Sequence, residues 1–185
     1  EQVVPHGEKL PDFDTYCPLM NLPAVFETTL ENLPADVPYL AARPDDVARW
    51  REALAGDPNY KVGLAWRGSD RNPHDDRRSM PARHFQPLLE VPGVSFYSLQ
   101  VGRDHDLGEV PPLRVTKLEP WLNDFAASAA AIRALDLVIS VDTAAVHLTA
   151  ALARPVWMLL FYESEWRWMN ERLDSPWYPT LRIFR

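Results

Sequence analysis

The sequence predicts an α/β protein built as a doubly wound, Rossmann-like parallel sheet. Three observations carry this. Short β-branched apolar runs recur at 61–66, 94–99, 137–141 and 156–160. Helix-period segments of about ten residues separate several of them, which is the alternation that produces parallel sheets. One stretch, DLVISVDTAAVHLTAALARP at 136–155, reads as strand, tight turn and helix, and a further strand follows at once.

In that central stretch, Leu137–Val141 is apolar but for Ser140, as suits a strand buried on both faces. Asp142 and Thr143 break the run and are both favoured at helix N-caps. An Ala/Leu-rich helix follows from Ala144, Arg154 is placed in its last turn, and Pro155 ends it. The helix therefore starts at the carboxyl edge of the sheet, where open α/β folds bind ligands and free N–H groups favour phosphate. Asp142 as a simple cap and His147 as a satisfied half-buried histidine remain the structural alternatives. No Gly-rich Rossmann or P-loop fingerprint is present.

Upstream, residues 1–44 are punctuated by proline, with helical turns expected only at Pro18–Leu22 and Val25–Leu30. Asp45–Gly56 reads as an amphipathic helix with Val47, Trp50 and Leu54 on one face. Lys61–Trp66 is a strand, and 67–79 a long polar loop. Pro81–Val91 is predicted as a helix, Val94–Leu99 as a strand and Arg114–Leu118 as a short strand. Asn123-Asp124 can cap a helix over Phe125–Leu135. Leu181–Phe184 is the last strand. Eighteen prolines against seven glycines imply rigid connections.

Composition narrows the function classes. Hydrophobic content of 46% and charged content of 24% are those of a globular domain. A net charge of -7 argues against a non-specific nucleic-acid surface. The single cysteine, Cys17, excludes an internal disulfide and a Cys-rich metal site, and fits a reducing, cytoplasmic setting. No apolar run approaches the roughly 20 residues of a membrane span.

The candidate binding residues gather at the predicted carboxyl edge. The 67–79 loop holds Arg67, Arg71, Arg77 and Arg78 among Asp70, Asp75 and Asp76. One or two of these arginines could clamp a phosphate with a planar fork; the alternative is a solvated loop. Gln100, at the end of the second strand, could bond a base or ribose, or cap the sheet. His147 falls on the helix face of Thr143 and could donate to a phosphate or sugar oxygen. His6, His74, His84 and His105 have no metal-ligand spacing. Trp166-Arg167-Trp168 and Trp177-Tyr178 form an aromatic stretch, read as core or interdomain packing with sugar or base stacking as the alternative.

Four blocks together resemble a known family. They are Asp14–Leu40, with Cys17-Pro18-Leu19-Met20 and Pro34–Leu40; Lys61–Gly68 with Arg78-Ser79; Phe96–Gln100; and Asp136–Pro155, continued by Trp166-Arg167-Trp168 and Asp174–Pro179. In this order the chain is similar to the C-terminal part of bacterial glycosyltransferases of the GT-B fold. It is closest in pattern to the heptosyltransferase-related, family 9-like proteins often found behind tetratricopeptide repeats.

The resemblance implies that 1–44 is a remnant of an N-terminal acceptor domain with its linker. Residues 45–185 would be the nucleotide-sugar donor domain. Asp142 would face the donor sugar, with His147 beside it. Thr143 and Ala144 would offer N–H groups to the diphosphate, Arg67 or Arg78 would neutralise it, and Gln100 would sit near the nucleoside. The base would lie in the absent N-terminal domain, so this chain alone is expected to be inactive. The parent would transfer a sugar from a nucleotide-diphosphate donor to a glycan, lipid-linked glycan or protein hydroxyl, without metal or other cofactor. A sugar-nucleotide epimerase and a non-catalytic nucleotide-sugar-binding or protein-interaction module are the rival readings. Ala144 and Ala145 stand where heptosyltransferases proper often carry Gly, and Asn21 and Glu27 replace an expected Ser and Gly.

Overall fold

A computed structural model describes residues 2–69, 72–73, 75–102 and 115–185. Asp70, Arg71, His74, His105, Pro111, Pro112 and Arg114 lie outside the described residues. The chain divides into two units, Glu1–Pro34 and Ala35–Arg185. The first contains a 3-10 turn, Leu19–Asn21, and one short helix, α1 (Leu22–Val25). None of its described residues is buried, so it has no core of its own. The proline spacing accounts for this, since it leaves no room for a longer amphipathic element. Of the second turn expected at Val25–Leu30, the first part forms: α1 ends at Val25 and a hydrogen-bonded turn carries on to Thr28, whose N–H donates to the Pro23 carbonyl at 2.8 Å.

The second unit is a six-stranded, all-parallel sheet. Its strands are β1 (Tyr60–Ala65), β2 (Val94–Ser98), β3 (Val115–Lys117), β4 (Leu137–Val141), β5 (Val156–Leu159) and β6 (Leu181–Phe184). The spatial order is β3-β2-β1-β4-β5-β6. Helices α2 (Pro44–Ala53), α3 (Asp75–Arg78), α4 (Phe125–Arg133) and α5 (Ala144–Ala151) complete it. The predicted doubly wound sheet is therefore present, with every neighbouring pair parallel.

Period-two alternation sorts the strand side chains into two cores. On one face, Val138, Val156, Met158, Leu181 and Ile183 pack with α4 and α5, and Trp50 and Leu54 join from α2 and the turn after it. On the other, Val62, Leu64, Phe96, Leu137 and Ile139 pack with Ala82 and Phe85. β4 is buried at all five positions, as its largely apolar run requires, and the one polar side chain, Ser140, has its hydroxyl hydrogen-bonded. Asp124 caps α4 by accepting from the Ala127 N–H at 2.7 Å.

Three elements differ from expectation. Pro81–Val91 is not a helix but two 3-10 turns, Ala82–Phe85 and Leu88–Glu90. Pro87 is the reason: it lacks an N–H and its ring would clash with the Arg83 carbonyl of a continuous helix. The 67–79 loop contains the short helix α3. Helix α5 stops at Ala151, so Arg154 lies past the helix, where its guanidinium donates to the Leu135 carbonyl.

The end of α5 is a Schellman turn. The Arg154 N–H donates to the Thr149 carbonyl at 3.0 Å, and the Ala153 N–H to Ala150 at 2.9 Å. Ala153 takes the left-handed position with φ 53°. A Cβ there costs about 1–2 kcal/mol. Glycine removes that cost and returns roughly 0.5–1 kcal/mol of it as chain entropy. Ala153→Gly is therefore expected to raise the unfolding midpoint modestly, a result checked by chemical denaturation. A lowered midpoint would contradict the turn assignment. Among the described residues, no helix is long and apolar enough to cross a membrane.

Candidate functional site

A cleft of about 660 Å³ opens at the carboxyl edge of the sheet, where strand order reverses between β1 and β4. Five of the seven candidate residues line it: Arg67, Arg78, Gln100, Thr143 and Ala144. Of these, the exits of β1 and β2 supply Arg67 and Gln100, α3 supplies Arg78, and the start of α5 supplies Thr143 and Ala144. The opening N–H groups of α5 have no intrahelical partner by construction, and the dipole is positive there. Thr143 is the N-cap of α5, but its hydroxyl pairs with the Ser140 hydroxyl at 3.0 Å instead of capping. That bond fixes the turn from β4 into the helix.

Arg78 is placed by a small polar lattice built around α3. Its Nε donates to Asp75 Oδ1 at 3.0 Å and its Nη1 to the Asp142 carbonyl at 3.3 Å. Asp75 is buried, and its second oxygen accepts from the Ser79 hydroxyl at 2.8 Å. The Ser79 oxygen in turn accepts from the Gly68 N–H at 3.0 Å. A Cβ at Gly68 would collide with the Asp75 carboxylate and the Arg78 guanidinium. Gly68 is therefore required for close approach, and the loop after β1 is braced against the loop after β4.

Gln100 is buried and its amide is engaged by backbone. Oε1 accepts from the N–H groups of Trp66 at 3.1 Å and Arg67 at 3.0 Å, while Nε2 donates to the Arg67 carbonyl at 3.2 Å. It ties the exits of β1 and β2 together and forms part of the cleft wall. Phe125 and Ser128 of α4 also line the cleft, although no candidate residue was read on this helix from the sequence. The sequence showed only that Phe125 follows an N-cap; its exposure at the start of α4 comes from the fold.

Asp142 and His147 do not line this cleft; they meet each other and the aromatic stretch. Asp142 Oδ2 accepts from the Trp168 indole N–H at 3.0 Å, and its Oδ1 lies 3.9 Å from His147 Nε2. His147 Nδ1 pairs with the Tyr178 hydroxyl at 3.0 Å, which pairs with the Tyr39 hydroxyl at 3.2 Å. The His147 ring also packs on Trp168, with centroids 5.4 Å apart. Trp168, Tyr178 and Tyr39 are partners that sequence reasoning did not join to Asp142 and His147, because they are distant in the chain. Among the described residues, no group of three or more His, Cys, Asp and Glu gathers as a metal set.

Burial holds the His147 imidazole below its ordinary value of 6.5, the nearby Asp142 carboxylate opposing this and Arg167 reinforcing it. Near neutral pH the ring is therefore uncharged in the folded chain. The unfolded chain binds more protons below pH about 6.5, so stability falls as pH drops from there through the folded value. His147→Gln is expected to flatten that part of the curve. The measurement is the urea midpoint against pH for both proteins; parallel curves would exclude His147 as the source.

No protein-family profile matches the chain. It is 31% identical over 193 residues to protein FlbA of Caulobacter vibrioides, an alignment covering 99% of this chain and 32% of FlbA. Among solved structures it is similar to ADP-heptose lipopolysaccharide heptosyltransferase II of E. coli, with TM-score 0.60 and 17% identity over 85% of this chain and 49% of that one. It is also similar to a family 9 glycosyl transferase of Veillonella parvula DSM 2008, with TM-score 0.54 and 16% identity over 78% and 42%. The chain thus spans about a third of FlbA and about half or less of the two transferases. Over that half, it has the Rossmann-like fold of the heptosyltransferase and family 9 glycosyltransferase structures.

Proposed function

We propose that this chain is the donor-binding part of a glycosyltransferase and holds the diphosphate of a nucleotide sugar in the cleft between β1 and β4. The observation that carries this reading is the convergence of the α5 N-terminus with Arg67 and Arg78 on one 660 Å³ cleft at the strand-order reversal. Fork donors and free N–H groups are suited to a diphosphate whose charge grows as the glycosidic bond breaks. In this reading those groups, not a metal, meet the charge of the departing diphosphate. Thr143 and Ala144 present N–H groups, Arg78 reaches across from α3, and Gln100 holds the wall beside the nucleoside. Transfer to a glycan, lipid-linked glycan or protein hydroxyl in the cytoplasm needs a base from outside the 185 residues. The region before residue 45 then belongs with the acceptor side of the parent.

The test is titration of the purified chain with ADP, UDP, GDP and their glucose conjugates, followed by calorimetry. Weak but saturable nucleotide binding without sugar transfer is the expected result. Failure of every nucleotide to bind would refute the reading. Sugar transfer by this chain alone would show that it carries a base of its own. Donor turnover by the full-length parent separates a transferase from a binding module, and inversion of the free donor sugar would mark an epimerase.

A further inference from the structure

The turn between β5 and β6 carries an exposed indole that the cleft does not use. Trp166 is 63% exposed although two neighbours fix it. Trp177 meets it edge-to-face with centroids 6.1 Å apart, and the Arg167 guanidinium lies 6.0 Å from its ring centre. Both braces are themselves held. Trp177 donates through Nε1 to the Arg167 carbonyl at 3.1 Å and through its backbone N–H to the Ser175 hydroxyl at 3.2 Å. Arg167 donates to Glu165 at 2.7 Å. Trp168, two residues on, is buried and bonds Asp142. Arg185 closes the turn by donating to the Trp168 carbonyl at 3.2 Å. An exposed ring ordered from behind costs little further entropy when something lands on it.

We propose that Trp166, with the Arg167 guanidinium over one side of its ring and Glu165 paired to it, is a stacking platform for a pyranose-type sugar. The chemistry matches in two respects. A flat apolar ring suits the C–H face of a sugar. The guanidinium over the ring and the carboxylate paired with it can donate to and accept from the hydroxyls of a sugar held there. A single indole rimmed by an ion pair is small for a protein interface, which needs on the order of 800 Å² per partner. The turn is also linked to the donor edge. Arg167 and Glu165 both act electrostatically on His147, and Trp168 anchors the residue that precedes the α5 cap. The proposal rests on the glycosyltransferase reading for its setting, and the sugar arrives either as the donor's own moiety or as the end of an acceptor glycan.

The experiment records indole N–H resonances of the chain labelled on tryptophan, with ADP, UDP, ADP-glucose, UDP-glucose, UDP-N-acetylglucosamine and the methyl glucosides as probes. Trp166 and Trp177 signals are expected to move with sugar-bearing probes and to stay in place with ADP or UDP. Trp166→Ala is expected to lose about tenfold in sugar-probe affinity, the equivalent of one stacking contact of roughly 1.4 kcal/mol. It should leave diphosphate affinity unchanged, and Trp166→Tyr should restore much of the loss. The ring is exposed, so the alanine variant should fold, and an unchanged melting curve checks this.

Movement with sugar nucleotides but not with methyl glucosides assigns the platform to the donor; movement with both admits an acceptor glycan. Diphosphates that bind while no sugar probe moves Trp166 would overturn the platform and leave the cleft reading standing. Glucosides that move Trp166 while no nucleotide binds would support the platform and sink the cleft reading. Equal sugar affinity in wild type and Trp166→Ala would also overturn the proposal.

Discussion

Trp168→Ala is expected to destabilise the chain more than any other single change considered. Trp168 is 1% exposed and packs among His147, Tyr178 and the sheet. Removing a buried tryptophan costs about 3–5 kcal/mol through lost transfer energy and the cavity left behind. The deletion also leaves the Asp142 carboxylate without its indole donor, a further cost of about 1–3 kcal/mol. Against a typical total of roughly 5–15 kcal/mol, this is a large share of the domain's stability. Trp168→Phe helps to separate the two contributions, since it keeps one aromatic ring while removing the N–H with the rest of the indole. It should lose the polar part plus a smaller cavity cost, less than alanine does, and remain folded. Guanidinium unfolding of the three proteins checks the ranking. A phenylalanine variant as stable as wild type would show that Asp142 does not depend on the indole.

The second large effect is on ligand affinity. Arg78→Ala is expected to lower nucleoside diphosphate affinity by roughly 10- to 150-fold, the equivalent of one charge-assisted contact of about 1.5–3 kcal/mol. Arg78→Lys keeps the charge and loses the fork, so it should fall between. Gly68→Ala should mimic part of the loss with both charges intact, because the new methyl displaces the guanidinium from Asp75. Titration at matched thermal stability measures all three. Wild-type affinity in Arg78→Ala would remove α3 from the ligand site. Affinity lost in Arg78→Ala but kept in Gly68→Ala would mean that charge suffices without placement.

These residues also show what the sequence alone made legible. β4 and α5 were readable because a short run with four apolar residues out of five, a cap-forming pair and an Ala/Leu-rich run all specify one outcome. The parallel sheet followed from the alternation of such segments. α3 was not readable, since four charged residues have no amphipathic period. It is held by Arg78, Asp75, Ser79 and Gly68 acting together across the loop. The broken 81–91 element was legible in principle, because Pro87 forbids a continuous helix. The candidate site was only partly visible. Position along the chain brought Arg67, Arg78, Gln100, Thr143 and Ala144 to one edge. It could not show which way Asp142 and His147 turn, because their partners lie 26 and 31 residues away, in a stretch without a strand pattern. Gln100 could be read as cap or ligand, and the three backbone bonds of its amide show the cap.

The pairing of β1 with β4 joins segments 75 residues apart, as the bond from the Lys61 N–H to Asp136 illustrates. The other strand pairs connect neighbours in the chain. Closing so long a loop carries more entropy than the local pairings do, so β1–β2–β3 and β4–β5–β6 are expected to assemble first and join late. The cleft exists only at their junction. A ligand seated there is expected to make its contacts only once that junction has closed, after the barrier to folding. It should therefore leave the refolding rate unchanged and slow unfolding in proportion to its occupancy, lengthening the life of the native chain without hastening its birth.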